Sequence, residues 1–192
     1  RQAYSYMYDN FGSGIIITTN FFLTFAVTYA ALEAAGCDPT PEDDDNPCSN
    51  RVEGIRPTNV MNYVGTAGGL SCALSMPVVG AIIDHSPRPW ETASAAAWIL
   101  GVVAIVQGMI ADGDTWPVVA FLQVLSIYAY VVHGTVRDAW QPEMIAKLPH
   151  EDLQDQERNA INAGSSMAFF AGILGSIFLV LIIAFGFGLG TL

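Results

Sequence analysis

Charge is scarce in this sequence, and positive charge is scarcest. Of 192 residues only 13% are Asp, Glu, Lys or Arg; 7 are basic against 18 acidic, for a formal net charge of −11. Phosphate backbones repel so acidic a chain, which excludes nucleic acid as a partner. Cysteine is scarce as well: no pair among the 3 present has zinc spacing, and the 3 His are scattered over different loops and helix ends, so there is no metal-ligand pattern. Also missing are a phosphate-loop motif, a nucleophile with a neighbouring base, and a carboxylate pair at a credible separation. Neither enzyme chemistry nor a cofactor is therefore expected. His133 and Asp138 come nearest to a base with its orienting acid, and near the end of a span they read as interfacial polar groups. The opening residues lack the basic region and small-residue cleavage site of a secretory signal.

What is present is apolar. Hydrophobic residues make up 52% of the chain, and no Asp, Glu, Lys or Arg occurs from Asn159 to Leu192. That run exceeds the roughly 20 residues needed to cross a hydrocarbon core of about 30 Å. Five apolar segments can be marked, at about 11–35, 58–83, 92–111, 116–136 and 163–188. In lipid such a run must be helical so that its backbone groups pair internally. The expected fold class is all-α, a polytopic transmembrane bundle of about five spans in a single domain, 1–192. An acidic loop at 36–57 and a polar loop at 137–160 interrupt the apolar pattern. Pro57 suits the first turn of the second span, and Pro77 inside that span predicts a kink. The chain opens on Arg1 and stops at Leu192 in apolar sequence, so we expect part of a longer or processed protein. Its partners would be membrane lipid and either further helices of the same protein or neighbouring membrane subunits.

Basic residues set the expected topology. Arg1, Arg88, Arg137, Lys147 and Arg158 fall on one side of a five-span bundle, and only Arg51 and Arg56 on the other, which places the N-terminus in the cytoplasm or its equivalent in an organelle. Cys37 and Cys48 then share the opposite side. They form either a disulfide, worth roughly 3 kcal/mol in the chain-entropy account, or two unpaired thiols; Cys72 reads as a small packing residue.

Few polar groups lie within the spans. Asn20, Gln107 and Gln123 are candidates for solute contact or, as the first reading, for hydrogen bonds between helices. Glu33 either reaches the interface or couples to a proton, and Asp9 reads as an acid at the start of the first helix, favoured by the dipole. Small residues at Gly65, Gly69, Ser71 and Ala73, and at Gly164, Gly172 and Gly175, allow close helix approach. Intrachain packing is the first reading for them and partner contact the second.

The strongest local pattern is Gly80-Ala81-Ile82-Ile83-Asp84-His85-Ser86-Pro87-Arg88. Gly80 permits close contact, and Asp84, set against the dipole at a helix C-terminus, calls for a basic partner that Arg88 or Arg137 can supply. The segment resembles the signature between the second and third helices of the major facilitator superfamily, with Pro87 in place of the turn glycine and Pro89 in place of a second basic residue. Tyr8-Asp9-Asn10-Phe11-Gly12-Ser13 resembles the Tyr-Asp-Trp-Ala-Asn-Ser opening of the vacuolar amino-acid effluxer family within that superfamily. Pro142-Glu143, after Gln141, is similar to its Leu-Pro-Glu, and Arg158, Asn162 and Phe170-Ala171-Gly172 to its series entering the fifth helix. The resemblance implies a twelve-helix exporter of amino acids or other small solutes, with two six-helix halves rocking about a mid-membrane site. This chain would supply helices one to five. The alternative is a non-catalytic accessory subunit of a respiratory or photosynthetic complex, a transporter-derived remnant that uses its small-residue faces and Trp90, Trp98, Trp116 and Trp140 as contacts or lipid anchors.

Overall fold

A computed structural model describes residues 2–37, 50–86, 88–146 and 151–186. Among these there are no strands, and the architecture is five helices: α1 (Gln2–Ala34), α2 (Val60–His85), α3 (Pro89–Ile110), α4 (Trp116–Ala146) and α5 (Glu151–Gly186). Each contains a stretch long and apolar enough to cross a membrane, so the protein is an all-α integral membrane protein. Proline opens several elements where a missing N–H costs nothing: Pro57 starts the 3-10 turn Pro57–Asn59 ahead of α2, and Pro89 begins α3. Pro77 lies inside α2, which runs as one helix through it.

Three helices are longer than their apolar segments. α1 begins at Gln2 rather than near 11, α4 continues to Ala146 through Pro142, and α5 starts at Glu151 rather than near 163. The expected loop at 137–160 is thus helical in all its described residues. Hydropathy locates only the part of a helix that lipid covers. The polar extensions hold because Tyr6, Ile145 and Ile161 bury one another with Trp140 against them, and because Arg158 pairs with Asp155 one turn away at 3.3 Å. Asp9 accordingly lies two turns inside α1, not at its start.

The chain divides into two compact units, Arg1–Thr19 with Arg137–Leu192, and Asn20–Val136; the divisions fall inside α1 and α4. In the first unit, α1 and α5 run parallel and touch backbone to backbone. A Cβ built on Gly14 would overlap the Phe169 carbonyl oxygen, and one on Gly172 would overlap that of Phe11. Gly164 lies against the end of the Met7 side chain in the same register. Without a hydrophobic force between helices in lipid, such close approach is what lets dispersion hold them together.

In the second unit the core comprises Val27, Ala30 and Ala31 of α1, Val60 and Val64 of α2, and Trp116 and Val119 of α4, closed by Val52 from the α1–α2 connection. Val52 and Ile55 exchange backbone hydrogen bonds at 3.0 and 2.9 Å around Glu53 and Gly54, both at positive φ as a tight type I′ reversal requires. α3 contributes Ala96, Leu100, Val103 and Gln107, an i, i+4, i+7, i+11 stripe, and leaves Trp98, Ile105 and Met109 exposed.

Gly65 and Gly69 of α2 have nothing within 4 Å of a built Cβ, whereas Gly68 between them packs on Ile127. The same substitution should therefore act in opposite directions at two glycines. Gly172→Ala is expected to destabilise the protein by about 1–3 kcal/mol through overpacking. Gly65→Ala should be neutral or stabilising by up to ~1 kcal/mol through helix propensity. Thermal unfolding in detergent, followed by circular dichroism, measures both.

Candidate functional site

Polar side chains gather at one place in the second unit. Asn20 and Thr24 sit one turn apart on α1, Gln123 and Ser126 are likewise neighbours on α4, and Gln107 is the polar end of the buried stripe of α3. Gln107 donates from Nε2 to Oε1 of Gln123 at 2.7 Å, and Gln123 donates from its own Nε2 to the Thr24 hydroxyl at 3.4 Å. The Thr24 hydroxyl donates to the Asn20 backbone carbonyl at 2.9 Å, while Ser126 donates to Asn20 Oδ1 at 2.6 Å. Three helices are thereby joined through neutral groups alone. Gln107, Gln123 and Ser126 are 0%, 2% and 0% exposed.

The cluster is not confined to mid-span. Gln107 is three residues from the end of α3, about 4.5 Å along the axis, whereas Ser126 is ten residues into α4, about 15 Å. It therefore descends from just below the α3–α4 turn to roughly the depth of half a hydrocarbon core of about 30 Å. One atom in it is unanswered: Gln107 Oε1 is buried without a hydrogen-bond partner. Leaving such a group unpaired costs about 1–3 kcal/mol.

The α3–α4 turn above the cluster is itself fastened. Glu33 of α1 accepts from the Gly113 N–H at 3.2 Å, which Asp112 Oδ1 also takes at 2.7 Å, and the Thr115 hydroxyl closes on the Ile110 carbonyl. Glu33 thus ties the end of α1 to this turn. A side chain at Gly113 would press on Glu33 and on the Ala34 backbone, at 3.0 and 3.2 Å.

Of the four residues expected to form a latch, the two arginines bond elsewhere and the other two make no such contact among the described residues. Arg88 pairs with Glu91 at 3.1 Å on the surface, Asp84 is exposed with no ion pair among the described residues, and Gly80 has open space around it. Arg137 belongs to the first unit, where its side chain is only 17% exposed; it bonds Asp138 from Nε at 3.1 Å and the buried Ser13 hydroxyl of α1 from Nη1 at 3.0 Å. His133, in the second unit, directs Nδ1 to the Ala93 carbonyl of α3 at 3.1 Å.

Of the residues that carried the family resemblance, Tyr8 and Pro142 are exposed, Asp9 is half-buried and Asn10 donates to the Tyr6 carbonyl at 2.9 Å. Glu143 lies on α4, its side chain outside the described part of the structure. Gly172 forms the α1–α5 contact. Cys37 is disulfide-bonded, Cys72 is a buried free thiol, and Cys48 lies outside the described residues, as do Lys147 and the acidic run from Glu42 to Asp45. No group of His, Cys, Asp and Glu that could hold a metal occurs among the described residues.

Scarcity in an apolar run picked out Asn20, Gln107 and Gln123 but not Thr24, Ser126, Ser13 or Gly14. Helical spacing would have paired Thr24 with Asn20 and Ser126 with Gln123; the nearest contact of Gly14, Phe169, is 155 residues away and leaves no local signal. Compared with known proteins, the chain matches no protein-family model, no curated protein and no solved structure.

Breaking the amide pair on one side should be worse than removing it. Gln123→Leu strands the whole Gln107 amide and is expected to cost about 1–2 kcal/mol, whereas the double variant Gln107→Leu/Gln123→Leu should be close to neutral. A double-mutant cycle on unfolding in detergent would show this as coupling of opposite sign to the single losses.

Proposed function

We propose that this chain is part of a membrane transport protein for small polar solutes, and that the amide and hydroxyl cluster on α1, α3 and α4 is its solute-contacting surface. The observation that carries the reading is the unanswered Gln107 Oε1 at the end of a hydrogen-bonded series between three helices. An internal amide that has already bound one neighbour and still has capacity to spare can exchange partners with a passing solute at little net cost. The other members, Asn20, Thr24, Gln123 and Ser126, would take up the hydrogen bonds the solute gives up on leaving water. Their neutrality favours recognition by hydrogen bonding over charge.

The resemblance to the major facilitator superfamily points the same way and adds a direction and a class: export of amino acids or similar solutes. In that reading alternating access needs an opposing set of helices. A second reading, an accessory subunit in a larger membrane complex, draws on α2 and α3, where Gly65, Gly69, Gly80, Gly101 and Gly108 have open space about them. Such faces suit close contact with helices of another subunit.

Reconstitution of the protein from its source membrane into vesicles, with a panel of labelled neutral amino acids and sugars, separates the two. Transport predicts saturable uptake of at least one solute, reduced at least tenfold in Gln107→Leu/Gln123→Leu while helicity and unfolding midpoint hold. Uptake of none, together with an intact mass near 20.6 kDa and co-purification with other membrane proteins, would favour the subunit reading.

A further inference from the structure

An apolar groove of about 200 Å³ runs along the surface of the second unit between α2 and α4. Ile55, Tyr63 and Ala67 form one wall and Ala120, Phe121 and Val124 the other, with Val60, Val64 and Trp116 buried beneath. It starts where both helices start and reaches Val124, eight residues into α4, so it is about 12 Å long. That is within the roughly 15 Å that one leaflet contributes to a hydrocarbon core of about 30 Å. Its volume is below the roughly 300–1,000 Å³ of pockets that enclose drug-sized molecules.

Arg56 follows Ile55 of the groove wall and precedes Pro57, at the end where α2 begins. It is exposed, and no hydrogen bond or ion pair engages its side chain among the described residues. A cation near the end of an apolar groove of about one leaflet's length suits an amphiphile with an anionic group at its head and a hydrocarbon chain behind, and the abundant molecule of that kind in a bilayer is a phospholipid. We propose that the α2–α4 groove binds a phospholipid from the leaflet on the side of the α1–α2 connection, with one acyl chain lying along Ala67 and Ala120 and the phosphate at Arg56. The lipid fills the space between two helices that meet lower down, where Gly68 lies so close to Ile127 that a Cβ there would come within 3.0 Å of its side chain. Basic side chains beside membrane-facing helices recognise phospholipid head groups in this way.

The test places the full chain in phosphatidylcholine vesicles doped with a phosphatidylcholine carrying a diazirine midway along one acyl chain, irradiates them, and maps the adducts by mass spectrometry. Adducts on 55–67 and 116–124 should exceed those on the exposed α5 residues Leu174, Phe178 and Ile182 at least threefold. Ala67→Phe or Ala120→Phe, which fills the groove, should remove that excess without changing the α5 adducts, and Arg56→Gln should reduce it by about half. Each variant is compared at an unchanged unfolding midpoint, and the wild-type ratio of groove to α5 labelling stands on its own if a filled variant fails to fold. Equal labelling of groove and α5 would reduce the groove to ordinary annular contact and overturn the proposal. So would α5 labelling with none in the groove, which would mean that protein covers it.

Discussion

Hydrocarbon offers no hydrogen-bonding partner, so polar groups on the five helices have to be answered from within the protein. The hydroxyls do this cheaply. Thr18, Thr19, Thr24 and Thr28 on α1, Thr66, Ser71 and Ser75 on α2, and Thr135 on α4 each donate to the carbonyl four residues back on their own helix. A hydroxyl so engaged needs no neighbour and can face lipid, as Thr66 and Ser71 do. A primary amide is not fully answered in this way: Asn10 donates to the Tyr6 carbonyl of its own helix, yet an amide has a second donor and an acceptor still to place. Gln107, Gln123 and Asn20 are therefore the groups that reach across, and the positions of α1, α3 and α4 around them follow from that need.

Packing also decides which helices meet. Gly14 and Gly172 permit the backbones of α1 and α5 to touch, and this contact joins segments far apart in sequence. Gly65 and Gly69 have the spacing usually associated with such contacts and make none among the described residues, because the packed side of α2 at that level is the one bearing Gly68. The spacing of small residues records that a close approach is permitted. Which face uses it depends on the helix opposite.

The spans, their number and their all-helical character were legible in the sequence because twenty or so apolar residues in a row have only one solution in lipid. Helix ends were not legible, since hydropathy falls at the edge of lipid while helices α1, α4 and α5 continue beyond it. Tyr6, Ile145 and Ile161, which sustain those extensions, lie in stretches too short and too mixed to read as apolar runs, and only the folded chain brings them together. The three amides stood out by their rarity, and reading them first as bonds between helices matches their geometry. The partnership of Arg137 with Ser13 did not stand out. A serine near the start of an apolar run is unremarkable until a guanidinium from 124 positions away lies on it.

Packing does not account for the glutamine at position 107. The rest of its face, Ala96, Leu100 and Val103, is apolar, and a leucine there would bury as well without an amide to satisfy. Rotating the amide does not remove the difficulty. If Gln107 presents its oxygen to Gln123, then Gln123 must turn as well, and the Thr24 hydroxyl has to choose between the Gln123 oxygen and the Asn20 carbonyl. In either arrangement one polar atom of Gln107 is left over. A series of neutral hydrogen bonds that joins three helices and still has an acceptor to spare can also hold something that comes and goes. That asymmetry weighs toward a solute as the missing partner, and against reading the cluster as structural reinforcement alone.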